Sequence, residues 1–223
     1  MDDNPNKLEG KLIESLEIKE LGSLTANYAE LGLDNILEEG VVKDIPILRT
    51  AVSLVKMGFN LRDRIYVKKI YGFLAQVGQT TQEQREEFIK DNCKNVRQFE
   101  EAVLLILEQT DNMNKSSLIG KTFKACILGT ISYQDALSLS SIVNKTLWQD
   151  LENMFYGNFT VEMKMRLCNC GLLDLDLMKT DHINGTKKPT EITQTVDGFG
   201  YYENRYYKML LGIATAGGRG DLD

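Results

Sequence analysis

Apolar positions between residues 45 and 78 recur at spacings of three and four. Leu48, Val52 and Val55 follow this spacing, and polar side chains take the positions between them. A period of 3.6 residues predicts an amphipathic helix. A membrane span would need about 20 predominantly apolar residues, and cationic side chains interrupt this stretch too often for that.

Two signals divide the stretch into a pair of helices. Pro46 fits the first turn of the first helix, where a missing N–H costs nothing. Gly58 and Asn60 predict a break, after which Asn60 caps a second helix with Asp63 three positions later. Gly78 is the expected end of that second helix.

The same start signal, a capping residue followed three positions later by a polar partner, recurs downstream. It occurs at Thr81 with Gln84, at Asn95 with Gln98 and at Ser132 with Asp135. The helix that follows Asn95 has a broad apolar stripe, which includes Val96, Val103, Ile106 and Leu107.

The predicted bundle ends with two helices before residue 157. "SSLIGKTFKACIL" follows the polar connection "TDNMNK" and ends at Gly129, and the helix that Ser132 opens continues without interruption to Tyr156. At least six helices joined by short polar turns indicate a mainly α protein, built as a multi-helix bundle.

The pattern changes after residue 158. Thr160 caps a short helix that Gly171 ends, and "LLDLDL" then alternates with the period of a half-buried strand. A long polar loop, an extended piece within "ITQTVDGFGYY" and a last helix capped by Asn204 follow. This order predicts a small winged-helix-like α+β module. The predicted divisions are an acidic helical leader (1–40), a helical bundle (41–157), the winged-helix-like module (158–213) and a disordered tail (214–223).

Charge is spread unevenly along the 223 residues. The net charge is −6, but residues 1–44 carry eleven acids and four lysines, or −7, so the remaining residues sum to +1. Arg62, Arg64, Lys68 and Lys69 form a cationic cluster in the second amphipathic helix. These side chains are expected to meet an anionic partner: the acidic leader, anionic lipid headgroups or another protein.

The terminal module suggests a protein contact more than a nucleic-acid contact. A DNA-reading helix needs clustered cations, whereas the candidate helix "VEMKMRLCNC" offers only Lys164 and Arg166. A wing in the following loop would add Lys179, Lys187 and Lys188. The sequence pI near 5 also argues against strong phosphate binding. Tyr202 and Tyr206 are expected to anchor a protein interface.

No pattern of residues indicates catalysis, a metal or a cofactor. Nucleophile, phosphate-loop and zinc-protease motifs are missing from the sequence. His182 is the single histidine, and Cys168 and Cys170 do not have zinc-knuckle spacing. The start of the sequence has no secretory signal, so the four cysteines are expected to stay thiols in the cytoplasm.

Several segments together resemble a protein family. They are "KDIPILRTAVSLVKMGFNLRDRIYVKKIYGFL", "EQREEFIK", "LIGKTFKACILGTISYQDALSLSSIVNKTLWQDLENM", "RLCNCGLLDLDL" and "YYENRYYKMLLGI". In their order they are similar to abortive-infection proteins of the Abi-alpha type, in which a helical body precedes a degenerate winged-helix-like end. The resemblance implies a bacterial or phage setting and a role in phage defence, and it transfers no catalytic residue.

The sequence therefore predicts a cytoplasmic, non-enzymatic binding protein with a protein partner or with self-association. Two alternatives stay open. One is a membrane-acting effector that uses the amphipathic helices at 47–77, and the other is a DNA-binding regulator that uses the terminal module. No small-molecule substrate is indicated.

Overall fold

A computed structural model describes Leu8 and residues 10–24, 40–56, 61–176 and 200–216. In these residues the chain is mainly helical, as the sequence predicted. The helices are α1 (Lys11–Glu17), α2 (Gly40–Asp44), α3 (Pro46–Lys56), α4 (Leu61–Val77), α5 (Gln82–Asn92), α6 (Val96–Gln109), α7 (Met113–Ile127), α8 (Tyr133–Lys145), α9 (Trp148–Phe155), α10 (Val161–Cys170) and α11 (Arg205–Thr215), and the strands are β1 (Leu173–Asp176) and β2 (Gly200–Glu203).

Some sequence-based predictions fall outside the described residues. They are the break at Gly58 and Asn60, the loop with His182 and its three lysines, and residues 217–223 of the tail. The predicted start of the disordered tail was wrong, because Ala214 and Thr215 belong to α11.

The capping residues act as predicted. Thr81 and Gln84 form a reciprocal capping box on α5. The Gln84 backbone nitrogen lies 3.3 Å from the Thr81 hydroxyl oxygen, and the Thr81 backbone nitrogen lies 2.9 Å from the Gln84 side-chain oxygen. Asn95 accepts a hydrogen bond from the Gln98 amide at 3.2 Å. At the C-terminal end of α10, Gly171 takes a left-handed conformation with φ 89°. These local hydrogen bonds satisfy helix-end groups that would otherwise lack partners.

One predicted helix is two helices. The stretch from Tyr133 to Tyr156 is interrupted at Thr146 and Leu147, where Leu147 leaves the helical conformation with ψ 138°. The Thr146 hydroxyl donates to the Ile142 carbonyl at 2.8 Å, so its side chain bonds the preceding turn. Leu147 is 54% exposed and does not belong to an apolar stripe. Apolar spacing alone could not locate this break.

Two smaller differences concern α6 and α7. The residues "MNK" belong to α7 and not to a connection, because the Asn112 side chain accepts from the Asn114 amide at 2.8 Å and starts the helix earlier. On α6, Val103 and Leu107 are fully buried, whereas Val96 is 40% exposed. The apolar stripe of α6 is therefore narrower than predicted.

The chain forms two compact units, Met1–Ser140 and Ser141–Asp223. In the first unit α4 and α7 make the most extensive packing. A Cβ added at Gly120 of α7 would lie 2.7 Å from the Phe73 carbonyl oxygen of α4, so only glycine allows the two backbones to approach this closely. Five aromatic rings from α4 to α8 form the neighbouring core, with ring centroids 5.4–6.5 Å apart: Phe73, Phe88, Phe99, Phe123 and Tyr133.

The first unit also includes α1, which packs on α3, α5 and α6. Leu12 and Leu16 of α1 are buried completely or nearly so, and the 3₁₀ turn at Lys19–Ser23 buries Leu21. The acidic leader therefore contributes side chains to the core of the bundle that follows it.

The second unit contains α9, α10, α11 and the two strands. β1 and β2 pair antiparallel, with Leu173 opposite Glu203 and Asp176 opposite Gly200. The order helix, strand, strand, helix agrees with the predicted order of elements, and the buried face includes Tyr201. In the described residues no helix is both long and apolar enough to cross a membrane.

A glycine-to-alanine pair tests the close approach of α4 and α7. Gly120→Ala is expected to lower the free energy of unfolding by about 1–3 kcal/mol, because its methyl group overlaps backbone atoms that cannot move aside. Gly212→Ala in α11 is the matched control. Nothing lies within 4 Å of its added Cβ, so alanine should be neutral or should stabilise the helix by roughly 0.5–1 kcal/mol. Urea denaturation followed by circular dichroism measures both, and equal effects would contradict the close approach.

A second prediction concerns alkaline pH. Burial raises the pKa of both Cys93 and Cys126 to about 12, and each lies near negative or ionisable neighbours that act in the same direction. The neutral thiols are favoured in the folded state. Their contribution to stability is therefore complete below their ordinary pKa of about 8.5 and is lost as pH rises through 9 to 12.

We expect thermal unfolding to move to lower temperature over this pH range, and Cys93→Ser with Cys126→Ser to reduce that pH dependence. Cys170→Ser is the control, since Cys170 is only half-buried. An unchanged pH dependence in the double variant would show that other groups cause the alkaline loss.

Candidate functional site

Contacts between α4 and α6 organise the cationic cluster. An Arg62 guanidinium nitrogen lies 2.7 Å from a Glu108 carboxylate oxygen, and the Tyr66 hydroxyl donates to the Leu104 carbonyl at 3.1 Å. Burial, followed by the negative charge of Glu108, raises the pKa of Tyr66. Tyr66 is therefore neutral and serves as a hydrogen-bond donor that joins the two helices.

Lys69 has a different environment from the rest of the predicted cluster. It is only 9% exposed, and its ammonium donates to the Glu108 carbonyl at 3.2 Å. Burial, followed by the positive charge of Arg62, lowers the pKa of Lys69. This lysine caps a carbonyl near the end of α6 and does not present its charge on the surface.

Large apolar side chains lie exposed beside these contacts. Leu61 begins α4 and is 69% exposed, and Ile65, one turn later, is 40% exposed. On α6, Leu105 is 53% exposed and directly follows Leu104, the acceptor of the Tyr66 hydroxyl. Arg64 is exposed and Lys68 is half-buried. We call these five residues the α4–α6 surface: Leu61, Arg64, Ile65, Lys68 and Leu105.

The predicted tyrosine contact lies in the second unit. Tyr202 on β2 and Tyr206 in the first turn of α11 are both half-buried. The Arg205 guanidinium carbon lies 5.1 Å from the centroid of the Tyr206 ring. Neighbouring tyrosines have structural roles: Tyr201 and Tyr207 are both buried.

The cations of α10 are engaged within the second unit. Lys164 is 5% exposed, with its ammonium 5.8 Å from the Phe159 ring centroid. Arg166 donates twice to Asp150, with both nitrogen–oxygen distances 2.7 Å. A DNA-reading helix projects its cations away from the protein, whereas Lys164 is buried and Arg166, 47% exposed on its side chain, is paired with Asp150 of its own unit.

In the described residues no three or more histidine, cysteine or acidic side chains are grouped so that they could hold a metal ion. The Cys170 thiol donates to the Lys145 carbonyl at 3.3 Å, and burial raises the pKa of Cys168. A raised pKa is the opposite of the lowered pKa that usually marks a reactive cysteine, so Cys168 does not fit that role.

The apolar members of the α4–α6 surface were not singled out from the sequence. Leu61 and Ile65 do not share a helix face with the buried Val67 and Ile70, because at 3.6 residues per turn the two pairs lie on opposite sides of α4. The helical phase therefore excludes Leu61 and Ile65 from the buried stripe, but whether another element covers them depends on packing that apolar spacing does not specify. The alternation of Leu61 and Ile65 with arginines was a second signal.

Comparison with known proteins found no family model, curated protein or solved structure that matches this chain. The similarity to abortive-infection proteins stays a prediction from sequence segments.

The pair of Arg166 and Asp150 gives a testable prediction. Asp150 is nearly fully buried, so Arg166→Gln leaves a buried carboxylate without its cation and should lower the melting temperature. The double change Asp150→Asn with Arg166→Gln removes that carboxylate's charge and should lower it less than the two single changes added together. Arg97→Gln is the control, because its partner Glu101 is 57% exposed. Strictly additive effects of the two changes would show that the pair is not coupled.

Proposed function

We propose that this protein is a non-enzymatic binding protein, and that its α4–α6 surface binds a protein segment that carries both apolar and acidic side chains. The observation that carries the proposal is the exposure of Leu61, 69%, at the start of a helix whose continuation is core. Fully burying a leucine is worth about 1.5–3 kcal/mol, so a partner that covers Leu61, Ile65 and Leu105 gains affinity from this surface.

The charges on the surface favour an acidic partner. Arg64 and Lys68 flank Ile65, and such cations guide an oppositely charged partner to the right face before the apolar contact forms. They add more to the association rate and to specificity than to affinity.

A protein segment fits better than a membrane. Glu108 is 51% exposed on its side chain and neutralises Arg62 beside the apolar residues. A helix that lies on anionic lipid has a polar face rich in lysine and arginine, and an exposed carboxylate at its edge opposes that contact. The same carboxylate is tolerated by a protein partner that offers a mixed surface.

The terminal module is proposed to be winged-helix-like and to serve packing and protein contact. Its helix–strand–strand–helix order supports this interpretation. The burial of Lys164 and the pairing of Arg166 with Asp150 give no support to the DNA-binding alternative. Tyr202 and Tyr206 are the residues proposed for a second contact. The setting in phage defence is proposed from the resemblance alone, and plaque counts on cells that express the protein would test it.

The surface is tested with matched variants of the full chain. Leu61→Asp with Ile65→Asp places two charges in the apolar part of the α4–α6 surface. Leu128→Asp is the control, because Leu128 is also exposed, 47%, but lies in the turn after α7. All three proteins should have similar melting temperatures. In affinity purification from bacterial lysate, we expect the wild type and the Leu128 variant to retain the same protein in stoichiometric amount, and the double variant to lose it at least tenfold.

Two results would contradict the proposal. One is equal retention of the partner by all three proteins, which would place the binding surface elsewhere. The other is flotation of the wild-type protein, but not of the double variant, with phosphatidylglycerol vesicles and not with phosphatidylcholine vesicles. That result would show that the α4–α6 surface binds an anionic membrane and not a protein segment.

A further inference from the structure

Two buried charges hold α1 at its two ends. Glu100 of α6 is 2% exposed, and its carboxylate oxygens accept from the amides of Gly10 at 2.6 Å and Ile13 at 2.9 Å. These amides belong to the first turn of α1, whose N–H groups have no partners within the helix. The N-terminal end of α1 is thus capped by the Glu100 carboxylate of another helix, whereas most helices are capped by a side chain of their own N-cap residue.

Arg85 of α5 holds the opposite end. It is 1% exposed, and its guanidinium donates to the carbonyls of Leu16 at 2.6 Å, Ile18 at 2.7 Å and Thr80 at 2.5 Å. Two of the three acceptors are the last carbonyls of α1 and its cap. A negative group at the N-terminus and a positive group at the C-terminus both complement the helix macrodipole.

Between the two charges the contact is apolar. Leu12 and Leu16 are at most 1% exposed, and Ile13 is 8% exposed. The Ser15 hydroxyl accepts from the Ile47 amide of α3 at 3.0 Å. The bundle therefore recognises α1 through its backbone ends and through a few aliphatic side chains at helical spacing.

We infer that α3, α5 and α6 form a groove for a short amphipathic helix, that α1 is its intramolecular ligand, and that a second copy's residues 10–24 can take the same place. The polar contacts of Glu100 and Arg85 go to backbone atoms. Any helix of two turns with leucines at matching positions satisfies them, and the copy of α1 in another chain does so identically. This groove is separate from the α4–α6 surface of the proposed function.

The length of the connection allows such an exchange. Residues 25–39 join the 3₁₀ turn to α2, and fifteen residues reach at most about 50 Å when fully extended. Exchange of an identical element between copies is a common route to dimers. A covalently attached α1 has a local concentration of the order of millimolar. Its own groove is therefore its preferred site until the connection is cut.

In the test, the chain is cut between α1 and α2, and both pieces stay in the sample. A site-specific protease sequence is inserted between Asp34 and Asn35 of the full chain, and the protein is cleaved. A fluorescent synthetic peptide of residues 8–24 is then added, and its exchange for the resident segment is followed by fluorescence anisotropy. We expect the cleaved protein to keep its helical circular dichroism and to bind the peptide saturably, with one peptide per chain. The uncut chain should bind the peptide at least a hundredfold more weakly.

Variants of the peptide and of the protein separate groove binding from non-specific contact. Peptides with Leu12→Asp or Leu16→Asp should not bind, and they require no change to the protein. Glu100→Gln and Arg85→Lys in the cleaved protein should each weaken binding at least tenfold. The first removes the charge that strengthens the hydrogen bonds to the α1 amides, and the second removes some of the donors to the α1 carbonyls. Glu101→Gln is the control, since Glu101 is exposed and bonds Arg97 instead; its affinity should be unchanged.

Three results would overturn the inference. Loss of helical signal when the resident segment leaves would show that α1 is an inseparable part of the core. Absence of exchange over two days at hundredfold peptide excess would show the same. Equal binding of the peptide to cut and uncut protein would place its site outside the groove.

Discussion

The buried guanidinium of Arg85, whose hydrogen bonds in the described residues go to backbone carbonyls, is the contact on which the packing of α1 depends. Arg85 is buried and is bonded to three carbonyl oxygens. Burial lowers the pKa of Arg85, and the negative charges of Glu83 and Glu86 oppose that change. Its ordinary pKa is so high that the group stays charged at neutral pH. A buried charge is tolerated only with full hydrogen bonding, so the Arg85 guanidinium needs the carbonyls of α1, or of an identical segment, in this place.

Glu100 makes the same arrangement at the other end of α1, with the opposite sign. A seven-residue helix is too short to be stable alone in water. Here α1 has its first amides and last carbonyls satisfied by side chains of two other helices, and its leucines are buried against them. The short helix exists because the bundle supplies what its own sequence lacks. The α4–α6 surface shows the converse, since α4 there exposes side chains that its own unit does not cover.

Local signals in the sequence predicted the helices well. Thr81, Asn95 and Asn204 cap helices through hydrogen bonds to amides two or three residues away, and such signals lie within one short segment. The roles of Gly120 and Arg85 could not be predicted from such local signals, because their contacts are made with other helices. Arg85 occurs in a charged segment typical of an exposed helix face, and its acceptor in α1 is 69 residues away along the chain.

The break at Thr146 and the exposure of Leu61 show the same limit. Each follows from packing partners that apolar spacing does not specify. The surface cluster was partly predictable, because Arg62, Arg64 and Lys68 are visible as charges in a helical pattern. The burial of Lys69 depends on Glu108, which belongs to another helix.

The hydrogen bonds of Glu100 and Arg85 to α1 have a consequence for synthesis of the protein on the ribosome. Gly10 and Glu100 are 90 residues apart, so α1 is synthesised well before the helix that holds its N-terminal end. At about 5–20 residues per second, roughly 4–18 seconds pass between translation of the two residues. During that interval Leu12, Ile13 and Leu16 have no groove to enter. The nascent chain therefore offers an aliphatic segment to chaperones during this interval of every round of translation.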